Sequence, residues 1–400
     1  MENGELHRNR FNGLSKIRTI FRKMLNKENK ERSKVLNEKR VIVAMSGGVD
    51  SSVAAALLNK QGYEVIGVTM KTWGFMEVGG APKHESGCCS LDAIFDAKNV
   101  ATSLGFPHYT VDFTKAFEEA VIDNFVDEYL SGRTPNPCVV CNRKIKWEEL
   151  LKKADSLDAK YVATGHYAVV EYNESLNRYS LKNSRDQKKD QSYALWGLTQ
   201  ESLSRTIFPL GGYTKVEVRK LAEEFGLKTA NKPDSQEICF VADDNYERFL
   251  RERIPSVIEK IEGGEMVYHG EVVGKHRGIP FYTVGQRKGL GVSFEKPVYV
   301  KSIDEKTNTI EIANKEELFE NVCSASDINF VSRREFKSGE IVFGKIRYND
   351  IATPAEIISA DESEIKIKFL EAKNAVTPGQ SLVLYDEQGY VLAGGIIRKK

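Results

Sequence analysis

From residue 40 onward, short apolar runs alternate with amphipathic stretches. Val41-Ile42-Val43-Ala44-Met45 is apolar on both faces and reads as a buried strand. Residues 53–61 are rich in Ala and Leu and stop at Gly62, the pattern of a helix closed by glycine. Further along, the pattern predicts strands over 63–70 and 108–113 and helices over 91–104 and 114–130. A loop held open by Pro135 and Pro137 leads into a helix over 143–156, followed by a fourth strand over 161–168. Strand and helix alternating in this way predict βαβ units and a doubly wound parallel sheet, an α/β fold.

Near residue 213 the pattern changes. Helices are predicted over 214–225 and 246–253, and from about 265 the chain breaks into short β-rich runs separated by glycines and turn residues. Runs at 298–300, 309–312, 341–348, 355–359, 364–369 and 381–385 have the spacing of a small barrel or sandwich. The expected organisation is a tail over 1–38, an α/β domain over 39–212, a small central domain over 213–304 and a β-barrel over 305–400.

The chain has 400 residues, more than one hydrophobic core serves. No run reaches 18 apolar residues, so no membrane span is expected. Six Cys are too few for a disulfide framework and point to a reducing, cytoplasmic setting. The net charge of +1 hides an asymmetry: residues 1–40 hold 12 Lys and Arg against 5 Glu, leaving 46 basic against 52 acidic residues in the rest. The tail therefore reads as a basic, unstructured segment. The body is slightly acidic, so any nucleic acid must be bound through local patches.

Ser46-Gly47-Gly48-Val49-Asp50-Ser51 joins the first strand to the first helix. Two glycines allow close backbone approach to an anion, successive N–H groups form a nest, and the helix N-terminus adds its dipole. Taken alone, it is also a plain glycine turn with a capping serine. No Lys follows, so it is not the Walker type of phosphate loop. In this strand–turn–helix setting the six residues are similar to the PP-loop of ATP pyrophosphatases. That resemblance implies cleavage of ATP between its α- and β-phosphates and adenylation of a carbonyl oxygen.

The cysteines add a second chemistry. Cys138 and Cys141 form a CxxC beside the predicted helix start, where the dipole and the charges of Arg143 and Lys144 favour thiolates. Cys239 follows in Asp234-Ser235-Gln236-Glu237-Ile238-Cys239-Phe240. Small buried thiols, a zinc site and an iron–sulfur cluster are all compatible with such residues. Cys88 and Cys89 are adjacent and make a poor second zinc pair, and Cys323 stands apart.

Further blocks occur in order: Arg133-Thr134-Pro135-Asn136-Pro137, Cys141-Asn142, Ala163-Thr164-Gly165-His166-Tyr167, Lys189-Asp190-Gln191-Ser192-Tyr193, Gly285-Gln286-Arg287-Lys288-Gly289-Leu290-Gly291 and Pro378-Gly379-Gln380. Together they resemble the tRNA-specific 2-thiouridylases (the MnmA/TrmU family) over residues 40 to 398. The resemblance implies a PP-loop catalytic domain, a central domain and a C-terminal β-barrel that convert the wobble uridine of tRNA to 2-thiouridine. It makes Cys141 the nucleophile and Cys239 the persulfide carrier, a pair able to form a disulfide. It places ATP, with Mg²⁺, at Ala44, Met45, Ser46, Gly47, Gly48, Val49, Asp50, Ser51, Met70 and Gly165. Asn136, Pro137 and Cys138 would face the target base, and His166, Lys189, Asp190, Gln191, Arg347, Tyr348 and Gln380 would touch tRNA. A sulfur-donor relay protein or a cysteine desulfurase is the implied protein partner.

Many family members carry Asp where this chain has Cys138. Cys138, Cys141 and Cys239 could then ligate a [4Fe–4S] cluster, as an alternative to the persulfide route. Two rival functions remain at the level of sequence. One is another PP-loop ligase, which needs no paired cysteines; the other is a non-catalytic RNA-binding protein using the barrel. The intact phosphate loop with both Cys141 and Cys239 argues against the second. Trp73, Trp147 and Trp196 are expected in cores rather than as stacking platforms.

Overall fold

The apolar run after Arg40 becomes the middle of a five-stranded sheet. A computed structural model describes residues 36–73, 91–232, 238–241, 243 and 245–399. Nearly all of the expected tail, Cys88, Cys89 and Asp234-Ser235 lie outside those residues. In β1 (Asn37–Ala44) residues 41–44 are buried. Then come α1 (Val49–Lys60), β2 (Glu64–Lys71), α2 (Leu91–Leu104) and β3 (His108–Asp112). Helix α3 covers residues 114–130 and α4 residues 137–156, each with an internal π-helical stretch, and β4 (Ala159–Ala163) follows.

The sheet runs β3-β2-β1-β4-β7, with β7 (Thr206–Ile207) at its edge. The pairs β1–β2, β2–β3 and β4–β7 are parallel. Chain order reverses between β1 and β4, which opens a crevice at the carboxyl ends of those two strands. The loops after β1 and β4 therefore share one site.

Two boundaries differ from the sequence expectation. The strand expected over 161–168 stops at Ala163, and Gly165 just beyond it lies so close to α1 that a Cβ would not fit. The helix expected from 143 begins at Pro137. Asn136 caps it by accepting from the Val139 N–H, and Pro137 occupies the first helical position, where its missing N–H costs nothing. Cys138 and Cys141 thus lie on the helix, not in a loop before it.

The hairpin of β5 (Val169–Asn173) and β6 (Arg178–Lys182) leaves this sheet altogether. After α5 (Gln200–Ser204), helix α6 (Lys215–Glu224) starts at a capping box of Thr214 and Glu217. Helices α7 (Tyr246–Arg253) and α8 (Pro255–Ile261) lead to a sheet of order β10-β11-β8-β9. Its strands are β8 (Glu265–Tyr268), β9 (Glu271–Lys275), β10 (Val298–Asp304) and β11 (Thr309–Asn314). The expected domain boundary at 304/305 falls inside the β10–β11 hairpin. The polar run at 304–308 is the expected turn, with Asn308 at φ 53°.

The barrel proper comprises β12 (Phe319–Phe330), β13 (Ile341–Lys345), β14 (Thr353–Ala360), β15 (Glu364–Asn374), β16 (Ser381–Tyr385) and β17 (Tyr390–Ile397). Their order is β12-β15-β14-β13-β16-β17, and antiparallel pairing of β12 with β17 closes the ring. Ile357, Ile367, Phe369 and Leu384 fill it. β6 pairs outside the ring on β17, Leu181 opposite Val391 and Lys182 opposite Tyr390.

One apolar cluster joins α3 to the central region: Phe117 and Phe125 pack with Phe240, Phe249, Met266, Phe281, Val300 and Ile310. All three Trp are buried. Trp147 Nε1 donates to Thr206 Oγ1 at 2.6 Å, and Trp196 Nε1 donates to Ser381 Oγ at 2.9 Å, as the core reading expects.

Candidate active site

The phosphate loop is built by its own hydroxyls. Ser51 Oγ accepts from the Ser46 N–H at 3.2 Å and donates to the Gly48 carbonyl at 3.2 Å. Ser52 Oγ donates to the same carbonyl at 2.8 Å. Gly47 has φ +69°, and a Cβ there would lie 2.2 Å from the Ala93 carbonyl oxygen of α2, so only glycine fits. Ala44 ends β1, Val49 opens α1, and Met45 is tied to β2 through its N–H to Val68 and through Thr69 Oγ1 to its carbonyl at 2.8 Å. Met70 lies near the end of β2, partly buried.

Gly165 closes the crevice from the β4 side. A Cβ on it would sit 2.7 Å from the Asp50 carbonyl carbon and 2.7 Å from the Ser51 nitrogen. Asp50 is flanked by two groups far from it in the sequence, of which only Tyr167 lies in a block singled out there. Tyr167 OH donates to Asp50 Oδ1 at 2.8 Å, and Lys215 Nζ lies 2.8 Å from both carboxylate oxygens. A loop without its own lysine thus receives one from α6, 165 residues on. Lys232 also reaches the loop, donating to the Gly47 carbonyl at 3.2 Å and to Asp96 at 2.8 Å.

Cys141 and Cys239 pack against the same aromatic cluster, together with Val140 and Ile238. Phe240 anchors the second cysteine. Its ring meets Phe125 edge-on at 5.1 Å, Phe117 at 5.8 Å and Phe249 at 5.6 Å, and burying such a ring contributes about 1.5–3 kcal/mol. Cys141 and Cys239 are partly buried, Cys138 is exposed and Cys323 is buried. Cys239 stands as a free thiol, so no Cys141–Cys239 disulfide is formed here. Immediately after Cys141 the helix widens into the π-helical stretch Asn142–Glu149, a feature frequent at functional sites.

The charges expected beside the CxxC are ion-paired: Arg143 with Asp327 at 2.9 Å and Lys144 with Glu148 at 2.9 Å. Among the described residues no group of three or more His, Cys, Asp or Glu side chains comes together as a metal site. Cys138, Cys141 and Cys239 therefore do not form such a group.

The barrel reaches directly into the cysteine loop. Gln380 Nε2 donates to the carbonyls of Thr134 at 3.1 Å and Pro135 at 3.0 Å. Thr134 N–H donates to the Pro378 carbonyl at 2.9 Å, and Gly379, at φ +89°, leaves no room for a side chain against Thr134. From the central sheet, Ile303 abuts Gly132 so closely that a Cβ there would meet it at 2.8 Å. All three regions of the protein thus hold the segment before Cys138.

Of the other expected tRNA contacts, Tyr348 is exposed and stacks edge-on at 6.3 Å with Tyr193. Partial burial of its ring, then Asp190, then Cys138 push its phenol above the ordinary range. Arg347 donates to the Asn374 carbonyl. Asp190 is buried, accepting from the Ser184 N–H at 2.9 Å and Ser192 Oγ at 2.7 Å, and burial raises its carboxyl. Gln191 Oε1 accepts from the Tyr167 N–H at 2.9 Å, and the Lys189 N–H donates to the Asp186 carbonyl. His166 shares a 2.7 Å hydrogen bond with Thr164 and lies 5.8 Å from the Trp147 ring. Asp190, Gln191 and His166 are thus engaged inside the protein, while Tyr348 faces solvent.

A glycine loop at a β1/β4 switch point, followed by a small central sheet and a closed barrel, defines a parallel-sheet domain of the HUP type carrying two β modules. Residues 39–243 match the tRNA methyl transferase HUP domain, 247–314 the tRNA methyl transferase PRC-barrel domain and 320–397 the aminomethyltransferase beta-barrel domain. The chain is similar to the tRNA-specific 2-thiouridylase MnmA of Salinibacter ruber, 53% identical over 362 residues, covering 90% of this chain and 94% of that one. The corresponding proteins of Halothermothrix orenii and Clostridioides difficile are 51% and 50% identical, covering 90% of this chain and 99% and 98% of theirs. The chain belongs to the family of tRNA-specific 2-thiouridylases. Among the described residues no helix is long and apolar enough to cross a membrane.

Proposed function

We propose that the protein is an ATP-dependent tRNA-uridine 2-sulfurtransferase that converts the wobble uridine to 2-thiouridine in the cytoplasm. The uracil C2 oxygen is a poor leaving group and must be activated. It attacks the α-phosphate of ATP, the bond between α-phosphorus and the bridging oxygen breaks, and pyrophosphate leaves; the N3 proton passes to solvent. Loop 46–51 and the α1 N-terminus receive the pyrophosphate. Mg²⁺ bound with ATP would supply further charge neutralisation.

The terminal sulfur of a Cys239 persulfide then attacks C2, and AMP departs with the original oxygen. Cys141 thiolate attacks Cys239 Sγ, which releases 2-thiouridine and leaves a Cys141–Cys239 disulfide. An external thiol reductant resets the pair, and a sulfur relay protein or a cysteine desulfurase reloads Cys239. An anticodon loop is single-stranded, so delivering the base to the pocket costs little. Asn136, Pro137 and Cys138 would line that pocket, with Tyr348 at its rim.

The observation that carries this reading is the packing of Cys141 and Cys239, distant in sequence, on one aromatic cluster. The test is nucleoside mass analysis of tRNA incubated with the protein, ATP and a sulfur source. Exchange of one oxygen for sulfur at the wobble uridine, with AMP and pyrophosphate formed, supports it. Formation of ADP and orthophosphate would sink the adenylation step.

A further inference from the structure

A Gly-Gly peptide is the easiest of all peptides to flip, because neither flanking residue has a Cβ to restrict it. The Gly47–Gly48 peptide lies at the centre of the phosphate loop, so its orientation decides whether an N–H or a carbonyl faces the anion. The loop itself does not fix it: Ser51 and Ser52 hold the next carbonyl, that of Gly48. The Gly47 carbonyl is held from outside, by Lys232 Nζ at 3.2 Å. In a planar trans peptide the C=O and N–H point in opposite directions. Securing the Gly47 oxygen on the Lys232 side therefore turns the Gly48 N–H to the other side, and among the described residues that N–H has no hydrogen-bond partner.

Lys232 is well placed to act as such a restraint. Asp96 of α2 pairs with its ammonium at 2.8 Å, which keeps the charge at the loop and compensates it. Its backbone is tied down too: its N–H donates to the Thr229 carbonyl at 3.1 Å. Arg219 of α6 donates to the carbonyls of Ala230 at 2.6 Å and Lys232 at 3.2 Å. With both carbonyls occupied, on Lys232 for one peptide and on the serines for the next, each of the two peptides is held in one orientation.

We propose that Lys232 is a positioning residue of the nucleotide site: it locks the Gly47–Gly48 peptide with its N–H directed at the pyrophosphate half of ATP. The proposal rests on the ATP reading above. A flipped peptide would aim a carbonyl at the β-phosphate and replace attraction by repulsion.

The experiment compares Lys232→Met and Lys232→Arg with the parent protein in tRNA-dependent release of pyrophosphate. The parent must first yield AMP and pyrophosphate; if it does not, the ATP reading itself fails. For Lys232→Met, KM for ATP and the inhibition constant of free pyrophosphate should each rise about tenfold, the scale of one lost hydrogen bond to a charged group. Inhibition by AMP, which lacks the β- and γ-phosphates, and tRNA affinity should be unchanged. Lys232→Arg keeps a charged donor and should recover most of the pyrophosphate affinity. Lys232→Leu serves the same comparison if the Met variant does not fold. A folded Lys232→Met with parental affinity for ATP and pyrophosphate overturns the proposal. So does equal weakening of AMP and pyrophosphate, or an Arg variant as weak as the Met variant.

Discussion

Gln380 of the β-barrel donates its side-chain amide to the Pro135 carbonyl at 3.0 Å, three residues before Cys138. The barrel is therefore part of the frame that sets the cysteine helix. Gln380→Ala removes both of its bonds to the segment. Single-turnover thiolation should slow up to about thirtyfold while ATP affinity stays unchanged, since neutral hydrogen bonds contribute about 1 kcal/mol each. If only tRNA affinity falls, with the chemical step unaffected, Gln380 acts on tRNA alone.

Gly165→Ala puts a methyl group 2.7 Å from two backbone atoms of α1, which cannot swing aside as a side chain can. We expect a stability loss of about 1–3 kcal/mol, the range for overpacking. KM for ATP should rise as the first turn of α1 shifts. Denaturant unfolding and steady-state kinetics check both, and an unchanged KM would separate Gly165 from the nucleotide site.

The three cysteines should separate cleanly. Cys239→Ser and Cys141→Ser should both abolish thiolation while still forming AMP and pyrophosphate with tRNA, because activation precedes sulfur transfer. Cys138→Ala should keep most activity, since Cys138 is exposed and does not gather with the other two as a ligand set. Stoichiometric iron in anaerobically prepared protein, lost together with activity in Cys138→Ala, would contradict this.

His166 gives a pH signature. Burial, and to a lesser extent Lys146, hold its imidazole well below the ordinary value. The unfolded chain therefore binds the proton more readily, and the neutral ring contributes its stability in full above about pH 6.5. That contribution is lost as pH falls from there toward the folded-state value, at about 1.4 kcal/mol per pH unit. His166→Asn can keep a hydrogen bond to Thr164 but cannot titrate. The difference in unfolding free energy between parent and variant should shrink on acidification from pH 7 to 5; a constant difference would refute the assignment.

What was legible in the sequence was local. The phosphate loop, the strand before it and the helix after it are contiguous, so composition and turn chemistry sufficed. The helix start at Pro137 was also encoded locally, in an Asn cap followed by a proline at the first position, but two prolines read more readily as an open loop. Lys215 and Lys232 left no such trace. Each looks like an ordinary surface lysine, and only the docking of α6 and the segment after it brings them to Asp50 and Gly47. The β5–β6 hairpin was missed because five-residue strands have too short a pattern to stand out between helices. Its edge is satisfied by a strand more than two hundred residues away. The Cys138, Cys141 and Cys239 trio was read from spacing, and spacing says nothing of whether three thiols converge.

Strand β17 is hydrogen-bonded to three others, β16, β12 and β6. During synthesis the β5–β6 hairpin emerges early and must wait, with an open edge, until the rest of the barrel has been made. The ring closes, and that edge is covered, only when the residues of β17 leave the ribosome. Until then the nascent chain presents unpaired strand edges on both sides of the gap, the kind of surface on which partly made chains stick to one another. A chain interrupted just before Tyr390 would thus lose far more than its last strand: Gln380 would still be present, but in a barrel left open, and the cysteine helix would lose the frame that holds it.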